Sequence, residues 1–298
     1  MRSAVVPFAL ALALPVSASL ETAAFAQKRA PDTTAQGPAI NDPDVKITLA
    51  DGTEHLCKRQ KPQDFLIRSN WFPTGNDKEA AKEGRKLLQK AIDYRTEKYG
   101  KFDGFGSAKD NKHPPTFYAK TVHFQGMSAL VNDKVGIALA CVDKALEASG
   151  VASEYHPKSM GGLRYKNTYR GVEVSNHVYG IAIDIEPHAN TCCSCVDPWP
   201  NHPLCKKKVT SVYERMAMPR SWVVVFERYG FYWLGHDSLQ DTMHFEFLAD
   251  PDAVVDGQTA TSALPVPVKA EKSEKAEKSE KSGKKDGHKP AATAAKKD

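Results

Sequence analysis

The chain has 298 residues, six cysteines and a formal net charge of +5. Most of this charge is local, because residues 269–298 carry ten Lys against six acidic side chains. The rest of the chain is close to neutral, which argues against the basic surface that nucleic-acid binding requires. The length allows one or two domains.

The N-terminus is typical of an export signal. Residues 1–26 contain an early Arg2, an apolar run and the small-residue site Ala24, Phe25 and Ala26. We therefore expect an exported protein of the periplasm or the extracellular side of the cell envelope. No later segment has the apolar length of a transmembrane helix. Residues 27–43 are polar and are predicted to form a flexible leader.

Two helices are predicted in the first half of the folded domain, which we place at residues 44–261. A short strand or hairpin precedes them, because apolar side chains alternate up to the turn signal Asp51-Gly52. The first helix runs over Lys78–Tyr99 and places Arg95 on the same face as its apolar residues. The second runs from about Asn132 to Ser149 and has an apolar stripe that faces the core.

The second half alternates short strands with one more helix. A strand over Ile181–Ile185 would place its three Ile on one face and Asp184 on the other. A helix is predicted over Pro219–Tyr229 and strands over Phe231–Leu234 and Met243–Leu248. In the last strand His244 and Glu246 share a face.

The six cysteines of an exported chain indicate disulfide bonds. Cys57 and Cys141 stand apart, and the simplest pairing joins them and forms two bridges among the other four. Those four are Cys192, Cys193, Cys195 and Cys205. Other pairings are open, and the alternative is a structural zinc site built from the cluster with His202 or His188.

Residues 262–298 form a low-complexity, Lys-rich tail that cannot build a core and is predicted to be disordered. Its simplest interpretation is a solvated tail. A sharper alternative is weak attraction to anionic polymers of the cell envelope.

Two short blocks carry the candidate chemistry. Residues 175–184 read S-N-H-V-Y-G-I-A-I-D and residues 241–246 read D-T-M-H-F-E. They supply two imidazoles and two carboxylates, which suits a divalent metal with three protein ligands and a fourth group for proton transfer. The chain has no H-E-x-x-H motif, and its S-x-x-K match, Ser282 to Lys285, lies in the tail.

These blocks resemble the zinc D-alanyl-D-alanine carboxypeptidases and L-alanyl-D-glutamate endopeptidases (VanY-like peptidases). That family shows S-x-H-x-x-G-x-A-x-D, followed by an acid three residues before a His. The resemblance runs from roughly Val122 to Leu248. It implies an α+β fold with a small antiparallel sheet and flanking helices, shared with the Hedgehog signalling domain.

The resemblance also implies roles for individual residues. His177, Asp184 and His244 would bind Zn²⁺, and Asp241 would be the general base. An Arg before the first His would hold a substrate carboxylate; Arg164 is the first candidate and Arg170 the second. Ser175 would bind substrate or stabilise the turn, and Glu246 would steady His244 or lie on the surface. The long cysteine-bearing insert after Asp184 departs from compact family members.

The function that follows is hydrolysis of peptidoglycan stem peptides by metal-activated water, with Asp241 as the base. Either the D-Ala-D-Ala or the L-Ala-D-Glu bond would be cleaved. The alternative is a non-catalytic, zinc-stabilised module that binds the cell wall, because the related Hedgehog domain keeps zinc without peptidase action. Asp241 argues against that alternative, since a structural metal site does not require it.

Overall fold

A computed structural model of the protein describes residues 40–73, 75–169 and 171–257, all within one compact unit. Several predictions lie outside these residues. They are the signal peptide (1–26), the leader up to residue 39, Arg170, the end of the domain after residue 257, and the Lys-rich tail (262–298).

Four α-helices lie in the described part of the chain. They are α1 (Lys78–Tyr99), α2 (Asp133–Ala148), α3 (Pro203–Lys206) and α4 (Arg220–Arg228). Both predicted long helices are confirmed, and their ends have clear causes. The Asp77 side chain accepts hydrogen bonds from two N–H groups at the start of α1, and the Asn132 side chain caps α2. Gly100, with φ 109°, ends α1.

The same residues contain eight β-strands. They are β1 (Lys46–Thr48), β2 (Glu54–Leu56), β3 (Ala119–Phe124), β4 (Met127–Asn132), β5 (Met160–Gly161), β6 (Ala182–Ile185), β7 (Phe231–Trp233) and β8 (His244–Phe247). β1 pairs with β2 and β3 with β4, each antiparallel. A four-stranded antiparallel sheet has the order β5-β6-β8-β7. The predicted α+β class, with small antiparallel sheets and few helices, is confirmed.

The register of the four-stranded sheet brings the two sequence blocks together. Asp184 on β6 lies directly opposite His244 on β8, and Ala182 lies opposite Glu246. All residues of β6 and β8 are buried. Because directly paired residues project from the same face, Asp184 and His244 point to the same side of the sheet.

The β3–β4 hairpin was not predicted. It turns at Gln125 and Gly126, whose φ angles of 48° and 77° form a tight hairpin turn. It packs against the segment that leads to the first block: Leu163 N donates to Leu130 O at 2.6 Å, and Asn132 N donates to Gly180 O at 2.9 Å.

The main core lies between α2, α4 and the sheets. Its largest buried side chains include Trp222 and Phe226 of α4, which pack their rings against Phe124 of β3, and Phe245 of β8, which stacks on Phe226. Within the described residues no helix has the length and hydrophobicity to span a membrane.

The disulfide prediction is confirmed. Cys57 bonds to Cys141, and the clustered cysteines form two bridges, Cys192–Cys195 and Cys193–Cys205. The alternative zinc site from this cluster does not form, because all four thiols are in bridges. Of the two histidines considered for it, His202 instead bonds the carbonyl of His188 through Nε2, at 3.0 Å.

Candidate functional site

Three of the predicted site residues meet at one point. His177 Nε2 lies 3.2 Å from Asp184 Oδ2 and 3.1 Å from His244 Nδ1, and His244 Nδ1 lies 2.8 Å from Asp184 Oδ1. The three ligand-type atoms all lie within 4.8 Å of one another, and all three residues are buried. Two imidazole nitrogens and a carboxylate form a donor set that suits Zn²⁺, with a further coordination position left for another group.

A tight turn brings His177 back over β6. Gly180 has φ 68°, and a Cβ there would lie 2.8 Å from Asn132 N, so only glycine fits. His177 O accepts from Gly180 N at 3.1 Å, and Ser175 O accepts from Val178 N at 2.9 Å. The chain therefore reverses between residues 175 and 180 and directs the imidazole towards β8.

Backbone and side-chain acceptors fix the orientation of both imidazoles. His177 Nδ1–H donates to Gly162 O at 2.7 Å, which leaves Nε2 with its lone pair facing the cluster. His244 Nε2–H donates to Glu246 Oε1 at 3.0 Å, which directs Nδ1 to the cluster. Such contacts on the outer nitrogen are typical of metal-binding histidines.

The charges of the cluster follow from burial and these contacts. Burial lowers the pKa of His177, and the nearby Asp184 carboxylate only partly offsets it. Burial also opposes charge on His244 and Asp184, but their hydrogen bonds outweigh it: Asp184 accepts from His177 and His244, and His244 bonds Asp184 and Glu246. The pKa of His244 is raised well above its usual value, and the pKa of Asp184 is lowered. Asp184 is therefore an anion, which is the form in which a carboxyl group binds a metal.

Glu246 lies inside the protein, not on its surface. Burial raises its pKa, but the hydrogen bond from His244 and the charge of that ring outweigh burial, so the pKa is lowered. The Asn176 side chain also bonds Glu246. Asn176 Oδ1 in turn accepts from Arg95 Nη1 at 2.8 Å. Arg95 is almost wholly buried and lies over the rings of Trp71 and Tyr179.

Sequence reasoning did not assign a site role to Arg95 or Asn176. Arg95 did carry a signal, because it is a charged residue on the apolar face of α1. Asn176 lies inside the first block, next to His177. The two link α1 to Glu246 and so to His244.

Asp241 lies in the loop before β8, and it interacts electrostatically with His244 and Asp184. Burial is the main cause that raises its pKa, to about 7, and the nearby Asp184 charge adds to the effect. Among the described residues its buried Oδ1 has no hydrogen-bond partner. A carboxyl with a pKa near neutrality can both accept and return a proton.

The other predicted residues lie in different positions. The guanidinium of Arg164 pairs with Asp184, while 44% of its side chain is exposed, so it lies at the solvent side of the cluster. Ser175 is buried, and its backbone N–H donates to Asn167 Oδ1 at 3.0 Å. This placement is that of a turn residue, and its substrate contact stays a prediction.

A second group of ligand-type atoms includes Asp241. The side chains of Cys192, Cys195 and Asp241 also lie within 4.8 Å of one another. The two cysteines are joined in a disulfide, so they are not metal ligands in this state.

Comparison with known proteins gives one family. Residues 169–247 match the model of a family described as D-alanyl-D-alanine carboxypeptidase. The match spans His177, Asp184, Asp241, His244 and Glu246, and it starts after Arg164. No curated protein and no solved structure matches the chain. The family that the resemblance predicted is therefore supported over residues 169–247, which hold the His-Asp-His cluster.

Proposed function

We propose that this chain is an exported zinc peptidase that hydrolyses the stem peptides of peptidoglycan. The scissile bond would be D-Ala-D-Ala, as in a carboxypeptidase, or L-Ala-D-Glu, as in an endopeptidase. The observation that carries the proposal is the convergence of two imidazole nitrogens and one carboxylate within 4.8 Å, next to a carboxyl with a raised pKa. The family match and the three disulfides support it.

Zn²⁺ would be held by His177 Nε2, Asp184 and His244 Nδ1. When bound, it supplies a Lewis acid that polarises the peptide carbonyl and makes water nucleophilic near neutral pH. The chain prepares the site before the metal binds. Gly162 O and Glu246 hold the outer imidazole nitrogens, so both inner nitrogens already face the cluster.

Asp241 would move the proton. It accepts a proton from the attacking water as the new C–O bond forms at the peptide carbonyl. It then donates that proton to the leaving amine nitrogen as the C–N bond breaks. A pKa of about 7 suits both steps, because the carboxyl is not strongly biased to either protonation state at neutral pH.

Arg164 would bind the substrate. Its guanidinium pairs with Asp184 in the metal-free protein. A cation on Asp184 would compensate the carboxylate charge and release the guanidinium towards solvent. There it can bind a free substrate carboxylate through two hydrogen bonds. The terminal D-Ala and the D-Glu side chain of stem peptides both offer such a group.

The decisive experiment is cleavage of defined stem peptides by purified protein, with products identified by mass spectrometry. We expect one bound zinc per chain, loss of cleavage on chelation and its return with Zn²⁺. Release of D-Ala and cleavage after L-Ala give different product masses and identify the bond. Asp241→Asn should lower kcat by about 10²- to 10⁴-fold, while Asp93→Asn, on the exposed face of α1, should not change it.

Two outcomes would overturn the proposal in different ways. A protein that binds zinc and peptidoglycan but cleaves no stem peptide would be a non-catalytic wall-binding module. Full activity of Asp241→Asn would leave the peptidase in place but remove Asp241 as its base.

A further inference from the structure

The cysteine turn, residues 192–195, lies against the Asp241 loop, residues 237–243. Cys192 and Asp241 form an antiparallel β-bridge. Ser194 N donates to Leu239 O at 3.0 Å, and the sulfur of Cys192 lies 3.7 Å from that same carbonyl. The loop that carries the proposed base is thus paired, at Leu239 and Asp241, with the turn that the Cys192–Cys195 disulfide closes.

A second set of contacts joins the residues just outside the bridge. Thr242 N and Thr242 Oγ1 both donate to Thr191 O, at 2.8 and 2.9 Å. Both threonines are fully buried. Asp241 therefore lies between two points, Leu239 and Thr242, that are each hydrogen-bonded to the cysteine turn or its neighbour.

The turn is anchored to the core of the domain. Asn190, fully buried, donates to the carbonyl of Ile185, the last residue of the strand that carries Asp184, at 2.8 Å. Its Oδ1 accepts from Ala217 N and Met218 N, each at 3.0 Å. Asn190 thus connects the end of β6 to the residues before α4, and it directly precedes Thr191, whose carbonyl accepts from Thr242.

The carboxylate itself faces the sulfur atoms. The ligand-type atoms of Cys192, Cys195 and Asp241 lie within 4.8 Å of one another, and the buried Oδ1 of Asp241 has no hydrogen-bond partner among the described residues. No polar contact therefore fixes that oxygen. Its position depends on the backbone of the loop and on the packing of the disulfide beside it.

We infer that the Cys192–Cys195 disulfide is a positioning element of the proposed peptidase, which fixes the Asp241 loop and thereby the reactive carboxylate. The inference rests on the proposed function for its catalytic consequence. It assigns a purpose to the long insert after Asp184, where the chain departs from compact family members. The disulfide closes the turn, and the turn holds the loop through backbone pairing.

The other disulfide of the insert provides a matched control. Cys193–Cys205 links the same turn to α3, and the sulfur of Cys193 contacts Thr191 Oγ1 and Arg215. Removing either bridge deletes two sulfurs and one crosslink from the same insert. Only Cys192–Cys195 has its sulfurs beside the Asp241 carboxylate among the groups of ligand-type atoms in the described chain.

The test compares the double variants Cys192→Ser/Cys195→Ser and Cys193→Ser/Cys205→Ser in the full zinc-loaded chain. Serine replacement is preferable to chemical reduction, because thiol reductants also bind zinc. We expect the first variant to lose about 10- to 100-fold in kcat, since a displacement of about 1 Å in a reacting group has that effect. KM and zinc content should stay within about twofold. The control variant should keep kcat within about threefold.

Hydrogen exchange gives a readout that does not depend on activity. Peptides that cover residues 237–243 should exchange faster in the first variant than in the control, while peptides from β3 and β4 should be unchanged in both. Should the first variant fail to fold, Thr242→Val keeps all cysteines and removes one hydrogen bond to Thr191 O. It should show the same pattern with a smaller loss of kcat.

The inference is overturned if the two double variants lose kcat equally, or if exchange of residues 237–243 is unaltered in the first. These results differ from a failure of the proposed function, in which the unmodified chain itself cleaves no stem peptide. In that case the exchange comparison alone decides whether the disulfide fixes the Asp241 loop.

Discussion

Replacing Gly162 by Ala tests whether the backbone next to β5 orients the His177 imidazole. A Cβ at Gly162 would lie 2.3 Å from Leu130 O and 3.1 Å from a methyl group of Val131. Carbon–oxygen contacts normally stay near 3.3 Å, so the loop must move by about 1 Å. The neighbouring hydrogen bond from Leu163 N to Leu130 O, at 2.6 Å, limits how far it can move.

The movement has two measurable costs. Forcing a methyl group into this contact should lower the free energy of unfolding by about 1–3 kcal/mol, measured by urea denaturation of the chelator-treated protein. Gly162 O also accepts the Nδ1–H of His177. Loss of such a contact on a metal-binding imidazole weakens metal affinity by about 10- to 100-fold, which competition with a chromogenic zinc chelator would measure.

The neighbouring residue supplies the control. A Cβ at Gly161 would meet only the Cβ of Asp184, at an ordinary 3.8 Å. Gly161→Ala should therefore change the free energy of unfolding by less than about 0.5 kcal/mol. The reasoning fails if Gly162→Ala binds zinc like the unmodified chain, or if both variants lose the same affinity.

Three further predictions concern the rest of the molecule. In metal-free protein the pKa of Asp241 is raised to about 7, so the native state keeps a proton that the unfolded chain loses near pH 4. The stability from this group is present below about pH 4 and is lost as the pH rises through 7. Asp241→Asn should therefore be more stable than the unmodified chain at pH 8, by up to about 4 kcal/mol, and equal to it near pH 4; equal urea midpoints at pH 8 would contradict this. Removing the Cys57–Cys141 bridge, which links residues 84 apart, should cost about 4 kcal/mol of stability in thermal unfolding, and a change below about 1 kcal/mol would contradict the loop-entropy argument. Arg95→Met should lower the free energy of unfolding by about 3 kcal/mol or more, because it removes the donor to buried acceptors and the positive charge near Glu246. Arg85→Met, on the exposed face of α1, should lower it by less than about 0.5 kcal/mol. Similar losses in the two variants would refute the argument that the buried contacts of Arg95 stabilise the fold.

Local sequence signals predicted the long helices well because their causes are local. Asp77 and Asn132 are N-caps, and Gly100 ends α1 with a positive φ. Three strands of the four-stranded sheet, β6, β7 and β8, were placed to within one residue at each end, whereas the short β5 was not predicted. By contrast, the β3–β4 hairpin was missed, since its turn at Gln125 and Gly126 lacks the Asn or Asp that marks most tight hairpins.

The residues of the candidate site were predictable from the sequence, but the contacts that hold them in place were not. The motif spacing indicated His177, Asp184 and His244, and the period of two placed Glu246 on the face of His244. That Asp184 lies opposite His244 depends on strand register, which sequence alone does not fix. Nor does local sequence reveal contacts such as Arg95 with Asn176, which are 81 residues apart.

The β3–β4 hairpin and α1 contact the segments that carry the candidate site, although both lie outside the residues of the family match. Asn132 and Leu130 bond the segments that present His177, and Arg95 reaches Glu246 through Asn176. All three lie before residue 169, where the family match begins. A fragment cut at the limits of that match would therefore remove hydrogen-bond partners from the segments that carry the candidate metal-binding residues. A fragment that keeps these contacts has to include the chain from α1 onwards.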